Sequence, residues 1–407
     1  MKRVVITGIG AVTPLGANVD ETIAAIEANK SAVVKMEIWK EYDGLNNLVA
    51  APAELKNEKE IPRKKRRSMG RMGIFSVQAA REAVADAGLD REKVGSACTG
   101  CIIGSTMGGA EAMNDTFELM LPKKDLSELS SMNFFKCVSH TAAMNVSQYF
   151  GIKGCVMATS AACASSLQAI GAAYWLIQMG KQDIMLCGGA EELHAIVAGS
   201  FDILFATSTH FNDRPELTPR PFDKDRDGLV CGEGSGILIL EEYEHARNRN
   251  AKIYAEIVGY HTCGSGEHVS QSNKQAMVEC IDNTLRSANI RPEDIDYINA
   301  HATATLHGDK AESEALKEIF SDKVPVSSMK GYIGHTLGAS GAIELIATLK
   351  GSERGIIYPT KNLENPADDC KGIQHVMQKQ KKELKYILKN CFAFGGINAS
   401  LIATRFS

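Results

Sequence analysis

The sequence predicts an α/β protein built on buried, mixed β-sheets, and three observations carry that reading. Short apolar runs rich in Val and Ile recur along the chain: "VVITGIG", "GCVMAT", "DIMLCGG", "SGILILEE", "YAEIVGY" and "DYINAH". Between them lie longer segments of helical period, such as "MGRMGIFSVQAAREAVADAG" and "QAMVECIDNTLRSANI". Finally, 407 residues at 44% hydrophobic content can bury a core larger than one small unit needs. Strands alternating with helices imply sheets covered on both faces.

The first element, "MKRVVITGIGAVTPLGA", places two cations before an apolar run as a signal peptide does. Thr7, Gly8, Gly10 and Pro14 suit a strand and turn better, so it reads as a first β-strand. The charged segment "EEYEHARNRNAK" separates two strand-and-helix series near residue 250, dividing the chain into halves 1–250 and 251–407. No internal repeat is visible by eye.

Composition excludes several classes. Forty-five basic residues against 49 acidic ones give a net charge of −4, which argues against nucleic acid or an anionic membrane as partner. No run approaches the roughly 18 apolar residues of a membrane span. The eleven cysteines are scattered, many inside apolar runs, as free thiols are in a reduced compartment such as the cytoplasm.

Three motifs fail their own requirements. "GIGAVTPLG" has Thr13 and Pro14 where a dinucleotide-binding turn needs its third glycine and a helix start. "DKDRDG" at 223–228 has acidic residues at calcium-loop positions, but Gly234 stands where the bidentate glutamate belongs. Cys98 and Cys101 form a lone C-x-x-C without the second pair zinc requires, and read as core cysteines.

The segment "GCVMATSAACASSLQAIGAAYWLIQMG" raises the chemical question, because it sets a thiol between a predicted strand and a helix running from about Cys163 to Met179. A helix N-terminus favours a thiolate and can lower a cysteine pKa from about 8.5 to roughly 3.5–7.5. Ala161, Ala162, Ala164, Ser165 and Ser166 are small enough to admit an acyl group. Alone, a cysteine among alanines is more often a small buried core residue than a nucleophile. Two further stretches change that balance. "DYINAHATAT" ends a strand with His301, and "VPVSSMKGYIGHTLGASG" carries Lys330 and His335 on a glycine-punctuated loop. His245 and His375 lie in charged stretches and are expected to be solvated. "NCFAFGGINASLI" offers Phe392 and Phe394 beside a Gly-Gly turn able to aim an amide at an oxyanion.

With these residues in hand, the chain resembles the elongating β-ketoacyl-acyl-carrier-protein synthases, from "VVITGIGAVTPLG" through "RPFDKDRDGLVCGEG" to "FGGIN". The resemblance implies a thiolase-like αβαβα layered sandwich of two similar halves. It implies a Cys-His-His triad of Cys163, His301 and His335 supported by Lys330, with Asp309 and Glu312 nearby and the amides of Cys163 and Phe394 as oxyanion donors. The implied reaction is decarboxylative condensation of a Cys163-bound acyl group with malonyl-carrier, both histidines donating to the thioester carbonyl, in fatty-acid or type II polyketide or polyene synthesis. No cofactor and no metal is implied. Thr303 and Thr305 are expected to meet the pantetheine arm, and Met107 and Phe201 to line the acyl pocket or else serve as ordinary core.

The sequence departs from the family's usual motifs at Ala302, Ala304, Ala393 and Ile397, which favours a specialised pathway over housekeeping fatty-acid synthesis. The partner implied is an acyl carrier protein, which is acidic. Lys64, Lys65 and Arg67 of "RKKRR", with Lys123 and Lys124, are the expected docking cations. A homodimer is expected, with a heterodimer involving a chain-length-factor-like subunit as the alternative. The rival readings are a non-catalytic subunit of that kind, which would lack the cysteine, and a thiolase-like enzyme of coenzyme A thioesters.

Overall fold

A computed structural model describes residues 1–406. Eleven strands make the main sheet: β1 (Val4–Val12), β2 (Thr99–Gly104), β3 (Val156–Met157), β4 (Ile184–Glu191), β5 (Gly234–Glu242), β6 (Ala255–Gly264), β7 (Tyr297–Asn299), β8 (Pro325–Ser327), β9 (Gln374–His375), β10 (Tyr386–Ala393) and β11 (Ile397–Arg405). Their spatial order is β9-β8-β7-β10-β11-β6-β1-β5-β4-β2-β3. The two sides meet where Val4–Ile6 pair with Ala255–Ile257.

Outward from that seam the pairing repeats. On one side β1 meets β5 antiparallel, β5 meets β4 antiparallel, and β4-β2 and β2-β3 are parallel. On the other, β6-β11 and β11-β10 are antiparallel, and β10-β7 and β7-β8 are parallel. Two similar halves are thus written in the hydrogen bonding, where a single sequence read by eye does not display them.

Two helices fill the space between the halves: α2 (Ser165–Gln178) and α5 (Ser340–Glu353). Every residue of α5 except Lys350 and Glu353 is buried, the mark of a helix enclosed on all sides. Ile170, Ala173, Ile343 and Ile346 share one core with Leu238 of β5 and Leu401 of β11. Outside lie α1 (Arg71–Asp86), packed over β1 and β5, and α3 (Lys274–Ala288) with α4 (Leu306–Phe320), packed on the other half. The layering is therefore αβαβα. Gly8 and Gly10 have a packing role, since a Cβ on either would stand 2.3 Å from Ala83 O or 2.1 Å from Ala79 O of α1.

Several expectations change. Only Val156 and Met157 of "CVMAT" pair as strand, and both are exposed. His245 is half-buried, with Nδ1 2.7 Å from Glu241 Oε2. His375 is half-buried too: Nε2 lies 2.9 Å from the Cys370 carbonyl, and the ring packs against Phe222. Neither is a freely solvated histidine. Cys98 is exposed while Cys101 is buried, so only the second is a core cysteine.

Candidate active site

The chain enters α2 through a tight turn in which Ala162 has φ +46°, a left-handed conformation uncommon for a residue with a Cβ. That turn sets Cys163 two residues ahead of the helix, 3% exposed. His301 follows β7 by two residues, and His335 follows a buried helical turn, Lys330–Ile333. Cys163, His301 and His335 bring donor atoms within 4.8 Å of one another. His335 Nε2 lies 2.9 Å from Cys163 Sγ, and the two imidazoles meet edge to face with centroids 5.3 Å apart.

The hydrogen bonds give the histidines different tautomers. His335 Nδ1 is 3.1 Å from Ser340 Oγ, whose hydroxyl donates to Glu344 Oε1 at 2.9 Å. The carboxylate claims the serine proton, so His335 carries its own proton on Nδ1 and turns the Nε2 lone pair toward the thiol. His301 Nδ1 is buried without a partner, and a bare lone pair is cheaper to bury there than an N–H. Its proton therefore sits on Nε2.

Burial dominates the ionisation of all three. It pushes the Cys163 thiol up to about 12 against the pull of Lys330, so the thiol is held protonated and the thiolate expected from the helix terminus alone does not form. Burial and then the Lys330 charge hold His301 and His335 well below the usual imidazole range, hence neutral.

Lys330 is fully buried; its ammonium donates to the His301 carbonyl and to Glu344 Oε1 at 2.7 Å. Asp309 and Glu312 accept backbone amides instead of the Lys330 ammonium, though Glu312 feels its charge. Glu312 accepts the amides of His301 and Ala302 at 2.9 and 2.7 Å, and Asp309 those of Phe222 and Ala304 at 2.7 and 3.1 Å. These carboxylates hold the 301–304 loop, including Ala304 at φ +70°. Burial raises Asp309 to about 7. The partners missed from sequence are Glu344, Ser340 and Lys389, the last bonding Glu344 Oε2. A lysine inside the apolar run "YILKNCFA" was a visible signal.

A narrow cavity leads to the triad, lined among others by Thr303, Thr305, Phe392 and Phe394. Thr303 and Thr305 hydroxyls lie 3.0 Å apart. Phe394 precedes Gly395 and Gly396, at φ +84° and +69°, and its ring sits 5.8 Å from Phe201. Met107 and Phe201 pack against Ala110, Val197 and Leu337 beside the site.

The chain matches the family description "Beta-ketoacyl synthase, N-terminal domain" over residues 1–246 and "Beta-ketoacyl synthase, C-terminal domain" over 254–364. It belongs to the β-ketoacyl synthase family. It is 36% identical to the 3-oxoacyl-[acyl-carrier-protein] synthase 1 of Haemophilus influenzae, over all of both chains. A crystal structure of a β-ketoacyl synthase from Burkholderia phymatum STM815 superposes with a TM-score of 0.97 at 44% identity, covering both chains completely. A type II PKS ketosynthase, solved in complex with its acyl carrier protein and bound to the hexaketide, superposes at 0.92 with 31% identity, again over both whole chains.

On this β-ketoacyl synthase the expected docking cations divide. Arg63–Arg66 form one helical turn after Pro62. Lys64, Arg67, Lys123 and Lys124 are exposed, whereas Lys65 turns inward. Its ammonium bonds the Tyr149 carbonyl, lies 3.3 Å from that of Gln148, and sits 4.9 Å from the Tyr149 ring centroid. Lys65 is a fold contact first. No helix of the described residues is long and apolar enough to cross a membrane.

Proposed function

We propose that this β-ketoacyl synthase extends acyl groups by condensing a Cys163-bound acyl chain with malonyl carried on an acyl carrier protein. The observation that carries the reading is the buried Cys163–His335 contact at 2.9 Å with the neutral His301 facing the same cavity. His335 Nε2 takes the thiol proton as Cys163 attacks the acyl thioester, then returns it to the departing carrier thiolate. The amides of Cys163 and Phe394 are the proposed donors to the tetrahedral oxyanion. In the second stage malonyl-carrier loses carbon dioxide, and His301 Nε2–H supports the enolate oxygen, without the second donor expected of His335, whose Nε2 presents a lone pair. The enolate carbon attacks the acyl carbonyl, the C–S bond breaks, and the Cys163 thiolate leaves and takes up a proton from solvent, giving a 3-oxoacyl-carrier two carbons longer.

The same residues count against a non-catalytic subunit, which has no use for a paired thiol. Eleven unpaired cysteines fit a reduced, cytoplasmic setting. A symmetric dimer is the expected assembly, with a heterodimer as its alternative.

The test combines acyl-carrier primers of graded length with malonyl-carrier and reads products by mass. Carrier-bound 3-oxoacyl products two carbons longer are expected, and their absence from every primer would defeat the proposal. In the same assay Met107→Phe should shorten the longest primer accepted, because Met107 packs on the Ala110, Val197 and Leu337 wall beside the triad. An unchanged primer profile would return Met107 to the ordinary core.

Carrier docking is tested on the outward cations. Each exposed charge contributes only about 0.2–1 kcal/mol, so Lys64→Glu, Arg67→Glu and Lys123→Glu are combined and Lys65 is left in place. Turnover of carrier-bound acyl groups should fall roughly tenfold and the defect should shrink with salt, while small pantetheine thioesters keep their rate. Equal losses with both substrates would remove docking from the account.

A further inference from the structure

The buried charges behind the triad are unequal. Glu344, on α5, stands between two ammonium groups, Lys330 and Lys389, and all three side chains are fully buried. Two cations thus meet on one carboxylate, with the buried Glu312 the next carboxylate whose charge both lysines feel. Oε1 of Glu344 receives Lys330 and the Ser340 hydroxyl, while Oε2 is taken by Lys389. The chain of contacts runs on in both directions: Ser340 reaches His335, and Lys330 reaches the His301 carbonyl. Lys389 thus touches neither histidine, yet it completes the arrangement that holds both.

Lys330 and Glu344 alone would make a neutral pair, so the second lysine needs a reason. Burying a further cation is costly unless something is gained by it. We propose that Lys389 is a positioning residue for the condensation: by holding Glu344 Oε2 it fixes the Glu344–Ser340–His335 chain and with it the tautomer of His335, and it sets a second positive charge behind the two imidazoles. The reading rests on the condensing function above. A protonated His335 cannot accept the Cys163 proton, so a site dependent on a neutral imidazole profits from a positive charge that repels protonation. Lys389 also occupies the oxygen that would otherwise draw Lys330 or Ser340 away from their present partners. The groups facing the histidines are Cys163 before α2, Glu312 on α4, Glu344 on α5, Lys330 on its loop, and Lys389 and Cys391 on β10. Burial and then the Lys330 charge hold both imidazoles down, and the Lys389 charge adds to them in the same direction.

The sign follows directly. Removing a nearby cation raises a histidine pKa, so in Lys389→Met both imidazoles should protonate at higher pH. The expected displacement is about one pH unit, the effect of one unit charge several ångströms away at an effective dielectric constant of about 20. Imidazole NMR resonances, assigned with His301→Gln and His335→Gln, read this without any turnover. The acid limb of malonyl-carrier decarboxylation should move upward by the same amount. Lys389→Met combined with Glu344→Gln removes one cation and one carboxylate together, and should bring the titration back toward the wild-type position even if the rate stays low. A uniform loss of rate with unmoved titrations, or a double variant no closer to wild type than the single one, would mean that Lys389 serves the fold alone and would overturn the proposal. If Lys389→Met does not fold, the lysine Cε and Nζ resonances of the wild-type protein decide: an ammonium charged through pH 8 upholds it, and a neutral amine at pH 7 ends it. Because the titrations need no substrate, a protein that fails to condense yet shows them separates this proposal from the function it rests on.

Discussion

Replacing Cys163 by alanine is expected to abolish the acyl-enzyme and to lower condensation on the order of 10⁴-fold or more, because Cys163 Sγ is the nucleophile held at His335 Nε2, while Ser340 meets only Nδ1 behind the ring. The fold should survive: the side chain is small, its neighbours Ala161 and Ala164 are themselves alanines, and losing one buried sulfur leaves little void. Intact-mass measurement after incubation with acyl-carrier reads the outcome directly. Wild-type protein should gain the mass of one acyl group and the variant none. An acylated variant would move the nucleophile elsewhere and overturn the site. The same contact predicts how the thiol reacts in the resting enzyme. Burial holds it protonated with a pKa near 12, so a small alkylating agent should modify it slowly at neutral pH, unlike a thiolate exposed at a helix terminus.

That thiol shows where sequence reading succeeded and where it stopped. Cys163, His301 and His335 were legible because chemistry-bearing residues stood at strand ends and glycine turns, and family resemblance joined them. The ionisation was not, because a helix-terminus argument speaks of one local field and the packed site adds desolvation from every side. Asp309 and Glu312 stand three residues apart on α4 and share a face, but which donors they accept depends on how the 301–304 loop folds over that face. Glu344 and Lys389 lie 45 residues apart, in "GAIELIATL" and "YILKNCFA". Their charges acquire meaning only when the central helix is laid against β10. Lys65 teaches the same lesson at the surface, since a run of cations does not say which of them turns inward to a carbonyl. The two halves were hidden for another reason: a repeated order of strand pairing constrains hydrogen bonds between strands and asks only for apolar side chains, which many sequences supply.

The histidines should fail differently when removed one at a time. His301→Ala should leave acylation of Cys163 nearly intact, since its imidazole makes no recorded bond to the thiol and its bare Nδ1 turns no donor toward it. Decarboxylation should then fall by about 10²–10³-fold, the usual cost of one lost donor to a developing oxyanion, and the acyl-enzyme should accumulate when both substrates are present. His335→Ala removes the acceptor 2.9 Å from the sulfur, so acyl transfer itself should slow by a factor of roughly 10²–10⁴ at neutral pH. Raising the pH should recover part of that loss, because hydroxide can take the thiol proton that His335 no longer accepts; the His301 variant should gain little from the same change. Rapid-quench mass measurement of acyl-enzyme, alongside carbon dioxide release from malonyl-carrier, separates the two stages. Should His335→Ala acylate at the wild-type rate, the base assignment drawn from the Ser340–Glu344 network fails. Should His301→Ala decarboxylate normally, the enolate must be held by another group in the cavity, which Thr303 and Thr305 also line.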